Sequence, residues 1–403
     1  MITPEVAHFK TKLSRNAQRL FSSNFFQIIS ETLTNIFISA FIWRFTESFY
    51  AVAFYQLGFY IALSGGFYVN GYLLRTFHLR TLFLVGCLLT GIASVAIVFF
   101  SQTNSVPTFF IIGCVNAFGY GLYWPNRNYL ELQEVADNAR DYYFSLINVV
   151  GMVARTIIPF VAGWFIVFGT KVNIYSAEVG YWVLFSLAFI LMGVVGIIVF
   201  KGNYESPKPL RITRFSLQKI FNKRFLLNTA QGVVDGTSFI VPLLILISLG
   251  DESLLGVIAG FTALFGAIII YIYGKKSRNG ARKKVLIVSN IIFLLCAISL
   301  LALPHPFNIL VYVLFGITAS NFFYIGAEPI VLAESDKQIS VDASLRYSFI
   351  FDNEFFLNTG RVGGVLIVIL LVYVFSETNM LVYGPIIVAL LQVFLLFVFL
   401  KKK

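Results

Sequence analysis

Twelve apolar runs, each about as long as a membrane-spanning helix, divide this sequence of 403 residues. An α-helix needs about 20 mostly apolar residues to cross a bilayer. No run alternates with the period of two that marks the strands of a membrane barrel. The sequence therefore predicts an all-α membrane protein with twelve transmembrane helices. The expected spans cover residues 22–43, 49–73, 81–100, 107–130, 142–168, 177–200, 224–248, 253–274, 284–303, 307–330, 345–375 and 379–400.

The composition agrees with a membrane protein and argues against an enzyme. Hydrophobic residues make up 58% of the chain and charged residues 12%, against about 45–50% and 25% in a soluble domain. No nucleophile–base arrangement, phosphate-binding loop or metal-ligand spacing is recognisable. We therefore expect no catalytic residue, no metal and no cofactor. The expected partners are a small-molecule substrate and membrane lipids, with no nucleic acid, and the chain is expected to be a monomer.

The basic residues predict how the chain is oriented. Most of the 30 Lys and Arg residues lie in segments on the amino-terminal side of the membrane, and only Arg44 and Lys171 lie on the other side. Since positively charged segments remain cytoplasmic, both termini are predicted to be cytoplasmic. We expect a multi-pass protein of the plasma (inner) membrane. The first 20 residues show no cleavable signal sequence.

The longest polar segment divides the chain into two equal sets of six spans. We expect an N-terminal half at residues 1–200, a cytoplasmic linker at 201–223 and a C-terminal half at 224–403. The linker is basic and contains an amphipathic piece at 217–221. Contact with anionic headgroups and a regulatory role both stay open for it.

The two halves also repeat each other at an offset of about 200 residues. A six-plus-six internal repeat is an architecture of transporters, whose substrate binds between the halves. The matched pairs are Glu31 with Gln231, Asn35 with Asp235, Tyr123 with Tyr324, Arg127 with Glu328, Asn148 with Glu354 and Arg155 with Arg361.

Two polar segments of equal length, residues 71–80 and 274–283, follow the second and eighth spans. Together with the repeat, they resemble the major facilitator superfamily, although Arg75 and Arg278 stand where that family has Asp. Residues 158–163 loosely resemble the Gly-Pro signature of the family's drug antiporters. The resemblance implies two pseudo-symmetric six-helix bundles and transport by alternating access. It also implies that the first, fourth, seventh and tenth spans line the central cavity.

Charged side chains inside the spans are the strongest candidates for function. Each costs roughly 2.5–3.5 kcal/mol at the centre of a membrane, so each needs a partner or a role. Both explanations stay open, and Asp352 has no assigned role. The eight are Glu31, Arg127, Arg155, Asp235, Glu328, Asp352, Glu354 and Arg361.

Glu31 and Asp235 are the candidates for proton coupling. Glu31 shares a helix face with Asn35, and Asp235 shares one with Gln231, because each pair is four residues apart. Burial of a carboxyl group favours its neutral form, so such a group can exchange protons near neutral pH. Glu31 is the stronger candidate, since no base flanks it in the sequence.

The candidates for substrate binding or gating form a larger group. Arg127 and Glu328 are expected either to pair across the two halves, as an inner gate, or to contact the substrate. Glu354 and Arg361 are seven residues apart, so each is expected to need a partner from another helix. Arginine suits carboxylate or phosphate groups, which favours an anionic substrate group. The group is Asn35, Arg127, Arg155, Gln231, Glu328, Glu354 and Arg361.

The predicted function is secondary active transport of a small organic solute, coupled to protons. Aromatic residues make up 17% of the chain, which leaves open an efflux pump or flippase for amphipathic drugs or lipids. A transporter-like receptor or scaffold that moves no solute is a third possibility.

Overall fold

A computed structural model describes residues 13–100, 103, 105–209, 211–213, 222–276, 282–302, 306–339 and 346–402. These residues are almost entirely helical, which confirms the expected all-α fold. The first half contains α1 (Arg15–Thr46), α2 (Phe49–Leu73), α3 (Leu79–Phe99), α4 (Val106–Glu134), α5 (Asp137–Lys171) and α6 (Ala177–Phe200). The second half contains α7 (Lys223–Gly236), α8 (Ile240–Ser248), α9 (Glu252–Lys276), α10 (Arg282–Ser299), α11 (Pro306–Val311), α12 (Ile317–Ile339), α13 (Arg346–Val374) and α14 (Glu377–Lys401).

Eleven helical stretches among the described residues are long and apolar enough to cross a membrane. The seventh expected span is discontinuous, because α7 and α8 are separated by a short break. The tenth consists of α11, a π-helical turn (Tyr312–Gly316) and α12. The ninth expected span corresponds to α10, whose first three residues are all basic (Arg282, Lys283 and Lys284). This basic start leaves α10 with a shorter apolar stretch than the other spans have.

Several helices extend beyond the apolar runs that predict them. Helix α1 begins at Arg15 rather than near residue 22, because the Ser14 side chain caps it by accepting a hydrogen bond from the Ala17 amide at 3.0 Å. Such a cap satisfies a backbone donor that the helix itself leaves unpaired. Leu20 is buried in this extension. Hydropathy therefore predicts the part of each helix in lipid, whereas capping and packing determine where the helix ends.

The two ends of the bundle are defined by the contacts there. At the end that we call the linker end, Asn16 of α1 donates a hydrogen bond to the Asn203 carbonyl at 3.2 Å. We call the opposite end, where α1 ends and α2 begins, the far end. There the rings of Phe49 and Phe239 from the two halves lie 6.0 Å apart between centroids. Both residues belong to the largest buried apolar cluster, which includes residues of both halves.

The described part of the linker is hydrogen-bonded to both halves. Ser206 accepts a hydrogen bond from the Leu79 amide at 2.9 Å, at the start of α3. Thr213 donates one to Asp352 Oδ1 at 2.7 Å, on α13. Asp352, which has no role in the sequence analysis, is therefore a buried anchor for the linker.

Three sequence predictions lie outside the described residues. These are the absence of a signal sequence in residues 1–12, the amphipathic linker piece at 217–221, and Arg278 in the second copy of the polar segment.

Glycines bring α7 and α13 into close contact. A Cβ atom added at Gly232 would lie 2.1 Å from the Leu357 carbonyl oxygen, and one added at Gly360 would lie 2.3 Å from that of Thr229. Contacts this short are possible only without a side chain, as is common where membrane helices pack closely. The close packing of α7 and α13 sets the positions of the charged side chains described below.

A substitution at Gly360 tests this packing. Gly360→Val is expected to lower the stability of the protein by about 1–3 kcal/mol, because the added side chain overpacks a rigid backbone contact. Gly363→Val is the matched control on the same helix, since a Cβ there meets nothing within 4 Å. Thermal unfolding in detergent measures both variants. Equal unfolding temperatures for the two would contradict the described packing.

Candidate functional site

Glu31 is held by hydrogen bonds from three uncharged donors. Its Oε1 accepts from Gln27 Nε2 at 2.9 Å, from the Tyr123 hydroxyl at 2.5 Å and from Trp124 Nε1 at 3.3 Å. Gln27 lies one turn before Glu31 on α1, and the two aromatic residues lie on α4. None of the described residues donates a hydrogen bond to Oε2. One oxygen of this carboxyl group is therefore fixed, and the other accepts no hydrogen bond within the described part of the chain.

Gln27 connects Glu31 to Arg127. The amide nitrogen of Gln27 donates to Glu31, and its oxygen accepts from Arg127 Nη1 at 3.2 Å. Arg127 also lies 3.9 Å from Glu131, measured from Nε to Oε1. Glu131 in turn accepts a hydrogen bond from Asn24 at 2.5 Å. These contacts form a continuous polar chain between α1 and α4 of the first half.

Arg127 and Glu328 do not pair in this structure. Among the described residues, Arg127 contacts only residues of its own half. Glu328 is partly buried and forms no hydrogen bond or ion pair within the described ranges. An inner-gate pair between them stays a prediction for another conformation of the protein.

Arg361 pairs with two carboxylates in the second half. Its Nη1 lies 2.7 Å from Glu354 Oε1, and its Nη2 lies 3.4 Å from Asp235 Oδ2 on α7. The spacing of seven residues suggests that Glu354 and Arg361 are too far apart for an ideal direct pair, and this is wrong. The expected partner from another helix is present for Arg361, as Asp235 on α7. Asn358 lies between Glu354 and Arg361, donating to the former at 2.9 Å and accepting from the latter at 3.2 Å. The long arginine side chain extends along the helix face and covers the two turns.

The second network also contacts the first half. Gln231 donates to Asp235 at 2.7 Å, as their spacing of four residues predicts. Tyr60 of α2 donates to the backbone carbonyl of Asp235 at 3.3 Å, and the Arg361 guanidinium lies 5.5 Å from the centre of the Tyr60 ring. Asp235 directly precedes Gly236, the last residue of α7. The ion pairs of this network therefore lie within the second half, in contact with Tyr60 of the first half and beside a break in a helix.

The repeat does not give Arg155 and Arg361 the same surroundings. Arg155 is exposed and forms no ion pair among the residues that the structure describes, and its neighbour in the sequence pattern, Asn148, is exposed as well. Asn35, one turn from Glu31, is also exposed. The structure thus brings Gln231, Asp235, Glu354 and Arg361 together and leaves Asn35 and Arg155 outside both networks.

Comparison with known proteins gives the family of the chain. The family model described as Major Facilitator Superfamily matches residues 20–351. The chain belongs to this superfamily. It is 23% identical to the uncharacterized protein YqgE of Bacillus subtilis (strain 168) over 360 residues, which cover 86% of this chain and 80% of that protein.

Solved structures of superfamily members share this fold. The nucleoside transporter NupG aligns with a TM-score of 0.67 at 14% identity, over 97% of this chain and 100% of that one. A bacterial homologue of the iron transporter ferroportin, in an inward-facing state, aligns with a TM-score of 0.68 at 15% identity, over 97% and 100%. The expected superfamily fold is confirmed, and the protein is an integral membrane transporter rather than an enzyme.

The sequence predicts neither a metal nor a cofactor for this chain. The described residues include no group of three or more His, Cys, Asp or Glu side chains that can hold a metal ion. The expectation of a site without metal or cofactor stays a prediction.

Sequence reasoning missed some residues of the two networks. Gln27 could have been found from its spacing in the sequence, since it lies four residues before Glu31, on the same helix face. Tyr60 has none, because its contact with Arg361 depends on how the two halves pack against each other.

The paired arginine is expected to matter more for stability than its repeat partner. Arg361→Gln leaves two carboxylates without their base, so a loss of about 3–5 kcal/mol is expected. The double variant Arg361→Gln, Glu354→Gln is expected to recover part of this loss, because one unpaired charge is removed. Arg155→Gln is the control and should change little, since Arg155 has no partner in the described structure. Thermal unfolding compares the variants, and equal losses for Arg155→Gln and Arg361→Gln would contradict the assignment.

Proposed function

We propose that this chain is a proton-coupled secondary transporter of a small organic solute and that Glu31 carries the proton. The supporting observation is the set of donors around Glu31, all of which are neutral. They orient the carboxyl group without a direct ion pair that would break when a proton binds. The second oxygen, to which none of the described residues donates, is the atom on which the proton would bind.

Asp235 has less support as a proton carrier. Its Oδ2 faces Arg361 and its Oδ1 accepts a hydrogen bond from Gln231. A proton on Asp235 would therefore break an ion pair that also involves Glu354. We assign Asp235 to the network that joins α7 to α13.

Gln27 can transmit the change in the charge of Glu31 to Arg127. Hydrogen bonds to a charged acceptor are stronger than those to a neutral one. When Glu31 takes a proton, the bond from Gln27 therefore weakens, and the Gln27 amide can reorient towards or away from Arg127. Arg127 is the candidate that would transmit this change to the solute or to an inner gate.

The geometry favours a solute whose binding does not require an arginine without protein partners. Arg127 contacts Gln27 and Glu131, and Arg361 pairs with Glu354 and Asp235. Arginines without protein partners would favour an anionic solute group. Because both arginines have such partners, the structure supports an anionic solute less than the sequence does. No specific observation favours efflux or lipid flipping, or a receptor without flux.

The solute can be identified by its effect on stability. A ligand that binds the folded protein raises its stability in proportion to RT ln(1 + [L]/Kd). A thermal-shift screen of purified protein against metabolites and drugs, run at an acidic and a neutral pH, selects solutes whose binding depends on protons. Flux of the selected solute into proteoliposomes then measures transport. If none of the stabilising compounds is transported, the receptor alternative is favoured.

Glu31→Gln is expected to abolish solute flux driven by a pH gradient and to leave solute exchange intact. The amide keeps the shape and the hydrogen bonds of the carboxyl group but cannot take up a proton. Tyr123→Phe removes one donor to Glu31 and should keep driven flux with a changed pH dependence. Glu178→Gln, in the first turn of α6, is the control for loss of a carboxylate elsewhere in the first half. Full driven flux in Glu31→Gln would contradict the role of Glu31.

We also propose that the linker end faces the cytoplasm, in the plasma membrane, and that the chain works as a monomer. The basic segments of the linker end support this orientation through the positive-inside rule.

A further inference from the structure

Three side chains from both halves meet at the far end of the bundle. Glu252, the first residue of α9, is only 1% exposed. Arg44, near the end of α1, places Nη1 at 2.6 Å from Glu252 Oε1 and at 2.8 Å from Oε2. The Tyr181 hydroxyl on α6 donates to Oε1 at 3.1 Å. The carboxylate of the second half is thus surrounded by a base and a phenol of the first half.

This ion pair differs from the pairs of the two central networks. Arg361 pairs with acids of its own half, and Arg127 lies beside an acid of its own half. The pair of Arg44 with Glu252 instead crosses between the halves. Its contacts can therefore break when the halves move, without any change inside either bundle.

Tight packing of α5 against α9 explains why Glu252 is buried. A Cβ atom added at Gly163 would lie 2.2 Å from the Glu252 carbonyl oxygen, and one added at Gly256 would lie 2.1 Å from that of Pro159. The two helices therefore touch backbone to backbone across the boundary between the halves. Separation of these helices would expose Glu252 to water and remove it from Arg44.

We propose that Arg44, Tyr181 and Glu252 form a latch that holds the far end closed and that opens once in each transport cycle. The proposal rests on the alternating-access part of the proposed function. Glu252 is desolvated only while the far end is closed, so its contacts stabilise that state and not the open one. An interaction that forms in only one of two states shifts the equilibrium between those states by its whole free energy.

Loss of the latch is expected to increase the population of the open far end. Glu252 is buried whereas Arg44 is partly exposed, and loss of either side chain leaves the other charge unpaired. Glu252→Gln and Arg44→Gln should therefore each raise the ratio of open to closed protein roughly tenfold. Tyr181→Phe should produce a smaller increase, because it removes one hydrogen bond and no charge. The charge swap Arg44→Glu with Glu252→Arg should restore much of the closed population.

Two spin labels at the far end can measure these populations by pulsed electron paramagnetic resonance. Ile174 and Tyr373, from the first and second halves, are 71% and 80% exposed and are suitable labelling sites after substitution by Cys. The three native cysteines, Cys87, Cys114 and Cys296, are free and must first be replaced. The distance distribution is recorded in lipid nanodiscs for each variant.

Matched controls remove other charges from the same end. Glu178→Gln removes an acid from the first turn of α6 in the first half, and Glu377→Gln removes an acid from the first turn of α14, as Glu252 is in the first turn of α9. Neither residue contacts Arg44 or Glu252 among the described contacts. Both control variants are expected to keep the wild-type distribution. Arg44 is 41% exposed in its side chain, so Arg44→Gln should fold even if Glu252→Gln does not.

The outcomes separate the latch from the proposed function. Two distances in the wild type, with the longer one enriched in Arg44→Gln and reduced again in the charge swap, would support the latch. Two distances whose proportions are the same in Arg44→Gln as in the wild type would overturn the latch but leave alternating access intact. A single distance in every variant, at acidic and neutral pH, would overturn the alternating access on which the proposal rests.

Discussion

The cost of placing charge inside a membrane governs the arrangement of this transporter. Each buried ion costs several kcal/mol unless its partner and its hydrogen bonds are in place. Arg361 meets this requirement with Glu354 and Asp235, and its guanidinium also lies over the Tyr60 ring. The result is a second half whose central charges hold helices together. Glu31 is different, because its hydrogen-bond donors are all neutral and its charge can therefore change without breaking a direct ion pair.

Glycine packing makes these charge contacts possible. Gly232 and Gly360 allow α7 and α13 to touch, which brings Asp235 to Arg361. At the boundary between the halves, Gly163 and Gly256 do the same for α5 and α9 and thereby bury Glu252. Close backbone contact thus supports one charge network within a half and one between the halves. The first is suited to permanent structure, and the second to a contact that forms and breaks.

Much of the fold follows from the sequence, whereas the contacts of the site do so only in part. The apolar runs and the repeat predict the helices, the two halves and the superfamily, because these depend on local hydropathy and on residue spacing. The spacing of Gln231 and Asp235 likewise predicts their hydrogen bond. The pair of Glu354 and Arg361 was missed because seven residues rise about 10.5 Å along a helix, and spacing alone does not show that an arginine extends along it. Tyr60 and Glu252 depend on packing between the halves, which one sequence does not reveal.

The central claim is that Glu31 exchanges a proton, and Trp124 offers a direct way to observe this exchange. Its indole nitrogen donates to Glu31 Oε1 at 3.3 Å, so the indole fluorescence should respond to the charge of that carboxyl group. The chain has 4 Trp residues, and replacement of Trp43, Trp164 and Trp182 by Phe leaves Trp124 as the only reporter. We predict that the Trp124 emission responds to pH in the parent protein and that this response is absent in Glu31→Gln. A flat emission in the parent protein, or the same response in Glu31→Gln, would contradict the central claim.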